Sequence, residues 1–121
     1  MTGWKLSFPE RTAGNVTDEK KLLTALGLCV RAGKVIFGVP MICDAMRRGG
    51  HGNPVLVLEA SDTSENTHKR IADKCTWYQV KHIQLKETDG VALAAALGKT
   101  SSLAAVALTD PGMSRMAEKY L

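Results

Sequence analysis

Aromatic residues make up only 5% of this chain, and it contains just three cysteines and four prolines. No apolar stretch approaches the roughly 18 residues that a membrane-spanning helix requires. The cysteines, Cys29, Cys43 and Cys75, are odd in number and include no Cys-x-x-Cys pair. That count argues against the disulfide framework of a small exported domain. His51, His68 and His82 fall at irregular distances from the cysteines, matching no familiar tetrahedral ligand pattern. No metal site and no cofactor are therefore expected, and the thiols read as reduced and mostly buried. The opening MTGWKLSFPER has neither a continuous apolar stretch nor a small-residue cleavage site, so no secretory signal is read there. The protein is expected in the cytoplasm.

At 121 residues, with 45% hydrophobic and 23% charged residues, the chain has the length and composition of one globular domain. That balance excludes an intrinsically disordered chain, a collagen-like repeat and a multi-domain enzyme. Charge is less ordinary: 16 Lys and Arg stand against 12 Asp and Glu, a net +4. The first 50 residues carry the whole surplus, with Lys5, Arg11, Lys20, Lys21, Arg31, Lys34, Arg47 and Arg48 against Glu10, Asp18, Glu19 and Asp44. Such asymmetry points to a polyanionic partner, of which nucleic acid is the obvious class.

Residues 1–17 hold Gly3, Pro9 and Gly14 with no apolar period, and read as a flexible N-terminal arm ahead of a single domain over 18–121. Asp18 reads as a helix cap, with Leu22, Leu23, Leu26, Cys29 and Val30 on one helical face ending at Gly33. Val35–Phe37 is a short strand. Pro40 suits the first turn of a second helix, with Met41, Ile42, Ala45 and Met46 inward and Gly49-Gly50 as its stop. Pro54–Leu58 is a strand covered on both faces. Asp62 and Glu65 read as a capping box for a third helix that turns Ile71, Cys75 and Tyr78 inward, and Trp77 is expected in core or edge packing. His82–Leu85 alternates like a strand with one wet face, Gly90–Leu97 is an Ala-rich helix, Leu103–Leu108 is an apolar strand, and Asp110-Pro111 opens a last helix. Strict αβαβαβαβα alternation predicts an α/β fold, a three-layer α/β/α sandwich.

The motifs of catalysis are missing or misplaced. Gly98-Lys99-Thr100 imitates the end of a P-loop, but position 93 is Leu where the loop needs glycine, and the segment follows a helix instead of a strand. Asn15-Val16-Thr17 matches a glycosylation sequon on a chain with no expected route to that machinery. Neither a Cys–His nucleophile pair nor a pair of carboxylates suited to acid–base work is marked by the local sequence. The chain reads as non-enzymatic.

The run Leu28-Cys-Val-Arg-Ala-Gly-Lys-Val-Ile-Phe-Gly38, the helix end Ala45-Met-Arg-Arg-Gly49 and the later Pro54-Val-Leu-Val-Leu-Glu-Ala60 resemble the ribosomal 7Ae/30e/12e superfamily of RNA-binding proteins. Glu65-Asn-Thr-His-Lys-Arg-Ile-Ala-Asp-Lys-Cys-Thr-Trp-Tyr78 is most similar to its bacterial YlxQ-like branch. The resemblance spans about residues 18–121 and implies a four-stranded mixed sheet. It further implies a ribosomal-type protein of ribonucleoprotein and translation contexts that binds structured RNA, either ribosomal RNA or the kink-turn, a sharply bent internal loop with sheared G·A pairs. In such proteins the start of the second helix enters the RNA groove, and a loop before the last strand packs on unstacked bases. Carried onto this chain, the helix start is Gly38, Val39, Pro40, Met41 and Asp44, with Lys34 just before it. The loop is Lys99, Ser101, Ser102 and Leu103, and backbone contacts fall to Arg31, Arg47, Arg48 and Lys69. The chain departs from the kink-turn pattern Gly-x-Asn-Glu-x-x-Lys, placing Pro40, Met41 and Asp44 at its three polar positions. A protein–protein adaptor that kept the fold and lost the RNA site is the alternative, favoured by the apolar Val39-Pro40-Met41 run; a protein partner at the ribosome fits either reading.

Overall fold

The apolar stripe from Leu22 to Cys29 folds as α1 (Glu19–Arg31), capped by Asp18, whose carboxylate accepts from the Lys21 N–H at 3.1 Å. There follow β1 (Val35–Phe37), α2 (Val39–Arg48), β2 (Leu56–Glu59), α3 (Glu65–Tyr78), β3 (Lys81–Gln84), α4 (Gly90–Ala96), β4 (Ala105–Leu108) and α5 (Pro111–Glu118). This computed structural model describes residues 18–50 and 52–121. The expected arm over 1–17, with the sequon at Asn15, lies outside the described residues, as does His51.

The four strands form one mixed sheet in the order β1-β4-β2-β3. β4 runs antiparallel to both neighbours, pairing Phe37 with Val106 and Leu58 with Val106, whereas β2 and β3 are parallel, with Val57 beside His82 and Glu59 beside Gln84. β1 and β3 are therefore the edges. Side chains alternate across the pleat, and each face has its own core. Leu56, Leu58, Val106 and Leu108 pack with Leu22 and Leu26 of α1, Leu93 of α4 and Ala117 of α5. Val57, Ala105 and Ala107 pack with Val39, Ile42 and Met46 of α2 and with Ile71 and Cys75 of α3. The expected α/β/α sandwich is the observed one.

Three local expectations need correction. Met41 is 56% exposed, not inward. The buried line of α2 is Val39, Ile42 and Met46, at i, i+3 and i+7, so Met41 falls on the line of Asp44 and Arg48 instead. Asp62 does not cap α3; Ser64 does, its hydroxyl accepting from the Thr67 N–H at 3.2 Å. Trp77 is 79% exposed, because α3 buries Ile71 and Cys75 and turns the 66, 70, 73, 77 line outward. A buried charge ties α1 to the β3–α4 loop: the Glu19 carboxylate accepts from the N–H groups of Lys86 and Glu87 and from the Thr88 hydroxyl, at 2.7–3.0 Å.

Candidate nucleic-acid interface

Gly38 turns the chain from β1 into α2 at φ +87°, a left-handed conformation that disfavours any side chain. Its N–H donates to the Ala105 carbonyl at 3.0 Å, which pins the start of α2 to the first residue of β4. No side chain caps α2, and Pro40 removes one amide from its first turn.

The loop before β4 is tied to the start of α4 by a relay. The Gly90 N–H donates to Asp62 Oδ1 at 2.9 Å, and the Gly90 carbonyl accepts from the Leu103 N–H at 3.1 Å. Asp62 thus spends its carboxylate on the loop that carries Ser102 and Leu103. Lys99, in the same loop, lies over the Phe37 ring at 4.2 Å, a cation–π contact that holds it beside the end of β1.

Between these pieces lies a cleft of about 360 Å³ lined by Gly38, Val39, Pro40, Thr67, Arg70, Ser102, Leu103 and Ala104. A second, smaller depression continues along the α2–α3 groove past Cys43, Asp44 and Arg47 to Lys74 and Tyr78, and Pro40 and Arg70 border both. Of the residues assigned from the sequence, Gly38, Val39, Pro40, Ser102 and Leu103 meet across this cleft, Asp44 lines the adjoining depression, and Met41, Lys99 and Ser101 line neither. Arg70 and Lys74 were missed by the sequence reading, which followed the charge surplus of the first 50 residues. The signal was present in the exposed spacing of Lys69, Arg70 and Lys74 along α3, with Trp77 one turn further on.

Other assigned residues lie elsewhere. Lys34 is separated from Gly38 by the length of β1, about 13 Å at the usual advance per residue, and its carbonyl accepts from the Thr109 N–H at the opposite end of the sheet. Arg31 ends α1, in the layer across the sheet from α2. Arg47 and Arg48 end α2, about 12 Å along the helix axis from its start. Both are ion-paired to Asp44, Arg48 through Nε at 3.1 Å. Lys69 pairs loosely with Asp73 at 3.8 Å.

The titrating groups of this layer are not those of a nucleophile. Burial pushes the Cys75 thiol up to about 11, helped by the nearby Cys43 and Glu59, and across the sheet burial likewise raises Cys29 of α1. Glu59 is also buried in this layer, beside His68 and His82. Burial pushes its carboxyl up, but hydrogen bonds from Thr63, His68 and His82 and the charge of His68 outweigh that and hold it below the ordinary carboxylate range.

Residues 20–118 match the ribosomal protein L7Ae/L30e/S12e/Gadd45 family. The chain belongs to that family. Among L7Ae-type relatives, the RNA-binding protein YlxQ of Bacillus subtilis (strain 168) is 34% identical over 89 residues, covering 74% of this chain and 83% of its own. The RNA-binding protein YlxQ of Enterococcus faecium is 34% identical over 71 residues, 59% of this chain and 66% of its own. A solved structure of a protein with unknown function from Bacillus halodurans C superposes with a TM-score of 0.73 at 29% identity, covering 83% of this chain and 95% of that one. The L7Ae-type match takes in every strand and nearly all of the helices, including both walls of the cleft. Among the described residues no helix is long and apolar enough to cross a membrane.

Proposed function

We propose that this protein is a non-catalytic binder of structured RNA, of ribosomal or kink-turn-like type, and that the cleft between the start of α2 and the Ser102–Leu103 loop is its contact surface. The observation that carries this reading is the meeting of Gly38–Pro40, Ser102–Leu103 and Arg70 around one cleft. Relatives at 34% identity bearing the name RNA-binding protein support it. A cleft of this shape accepts an RNA helix edge on the α2 side and an unstacked base on the loop side, the features by which folded RNA is read. Arg70 at its edge, with Lys74 and Arg47 along the adjoining α2–α3 groove, supply attraction for phosphate. Pro40 and Met41 offer no side-chain hydrogen bonds to base edges, so affinity comes mainly from charge and shape.

The test is titration of kink-turn RNA, ribosomal RNA fragments and an unkinked duplex of equal length at several salt concentrations. Binding should fall steeply with salt, each phosphate contact contributing about 0.7–0.9 to the log–log slope. Arg70→Glu combined with Lys74→Glu should remove most of that affinity and flatten the slope by about two contacts, leaving the far-ultraviolet circular dichroism unchanged. Wild-type affinity in this double variant would refute the cleft assignment. A protein that retains no RNA at low salt would instead favour the adaptor reading, for which exposed Met41 and Trp77 are the observations.

A further inference from the structure

Glu59 is fully buried at the end of β2, in a strand whose other members are Leu56, Val57 and Leu58. A buried carboxylate is expensive unless opposite charge or hydrogen-bond donors surround it. The parallel register of β2 and β3 supplies two of its partners, since His82 lies beside Val57 and Gln84 beside Glu59, all on the face covered by α3. His68 reaches the same carboxylate from α3. Its Nδ1 lies 2.9 Å from both carboxylate oxygens, and His82 Nε2 lies 2.6 Å from Oε1. The Thr63 hydroxyl donates to Oε2, and Gln84 Nε2 lies 3.3 Å from that oxygen.

We propose that Glu59, His68 and His82 form a binding site for a divalent transition-metal ion of the zinc class. The three donor atoms come from α3 and from two neighbouring strands, and all lie within 4.8 Å of one another. Ligand atoms around tetrahedral zinc, at about 2.0–2.2 Å from the ion, stand roughly 3.3–3.6 Å apart. Widening the imidazole–carboxylate contacts from 2.6 and 2.9 Å by about 0.4–1.0 Å would reach that spacing. The two rings are tilted by 46° with centroids 5.9 Å apart, so they do not stack, and each directs a nitrogen at the same carboxylate.

Two imidazole nitrogens and one carboxylate oxygen suit zinc-like ions, whereas magnesium and calcium require shells built of oxygen. Thr63 and Gln84 would act as the outer shell that orients the carboxylate, and Gln84 is itself held by the Ala60 carbonyl at 3.3 Å. The site is closed on the Glu59 side and open past His68, whose side chain is 45% exposed. A fourth position is thereby left to water. The spacing of nine residues between Glu59 and His68 and 23 between Glu59 and His82 forms no local motif, and sheet register closes the set. This proposal does not depend on RNA binding.

The full chain, stripped with chelator and dialysed, would be titrated with zinc chloride by calorimetry and melted at increasing zinc concentration. One ion should bind per chain, and the Tm should climb with free zinc because the ion binds only the folded site. Magnesium chloride should produce no shift. His68→Gln, at a half-exposed helical position, should keep the fold and weaken zinc binding by more than the roughly 10- to 100-fold typical of outer-shell changes; His82→Gln should do the same. Cobalt in place of zinc should give the visible absorption of a four-coordinate ion in the wild type and lose it in His68→Gln. No saturable zinc binding by the wild type would overturn the site, as would wild-type zinc binding by His68→Gln. Should His82→Gln fail to fold, His68→Gln decides alone.

Discussion

Asp44 and Arg48 stand one turn apart on the exposed side of α2, joined at 3.1 Å, and Arg47 closes on the same carboxylate from the next position. An anion at this place in the helix would repel RNA if it stood alone. Here its charge is matched by two guanidinium groups that are themselves candidates for phosphate contact. The Asp44 end of the groove is thus left with one net positive charge, and the other end, where Arg70 and Lys74 lie, is basic.

Replacing Asp44 by Lys removes both pairings, frees Arg47 and Arg48, and adds a cation. Exposed ion pairs contribute about 0–1 kcal/mol, so the stability of Asp44→Lys should stay within about that range of wild type. Its affinity for kink-turn RNA should rise about tenfold, equivalent to roughly 1.4 kcal/mol, with a steeper salt dependence. Fluorescence anisotropy against the kink-turn and the unkinked duplex measures both. An unchanged affinity would mean that this part of α2 does not meet RNA.

Gly90 is the residue through which Asp62 positions the Leu103 loop. A Cβ built there meets the Ser102 hydroxyl and comes within 2.9 Å of the Leu103 carbonyl oxygen, a backbone atom that cannot rotate away. Gly90→Ala should therefore cost about 1–3 kcal/mol of stability, as overpacked sites do. It should also weaken RNA binding by shifting one wall of the cleft. Urea denaturation gives the first quantity, and a midpoint equal to wild type would contradict the close packing.

Glu19 is a buried carboxylate serving three donors of the β3–α4 loop. Glu19→Ala leaves those donors without their acceptor, a loss of about 2–3 kcal/mol for hydrogen bonds to a charged group. Hydrogen exchange should locate the loosening at Lys86 and Glu87 first. Uniform destabilisation with no local change there would argue against this role.

Cys75 is raised from 9.0 to about 11 by burial. A folded-state pKa above the unfolded one gives stability that is complete below pH 9 and is lost as pH climbs toward 11. Two pKa units correspond to at most about 3 kcal/mol, and the side chain is buried enough for most of it to apply. Cys75→Ala should flatten the alkaline limb of a stability–pH curve. At pH 8 the native thiol should also react with iodoacetamide far more slowly than the unfolded chain, since its thiolate is about a hundredfold scarcer. A fast-reacting native Cys75 would contradict the burial.

Element order was readable in the chain itself. Apolar spacing, the caps Asp18 and Asp110, and the strand–helix alternation are local properties, and they sufficed for all four strands and five helices. The start of α2 and the Ser102–Leu103 loop could be assigned by resemblance for the same reason, as each is a contiguous stretch. Errors arose where a helix had to choose its buried side: Met41 and Trp77 are apolar, but their places on the 3.6-residue cycle face water. Arg70 entered the cleft only when α3 packed beside α2. The company of Glu59 was beyond any local signal, because histidines nine and 23 residues away meet its carboxylate only through the parallel pairing of β2 with β3 and the docking of α3 on that face. Local periodicity sets which elements form; strand register and helix docking set which side chains share a site.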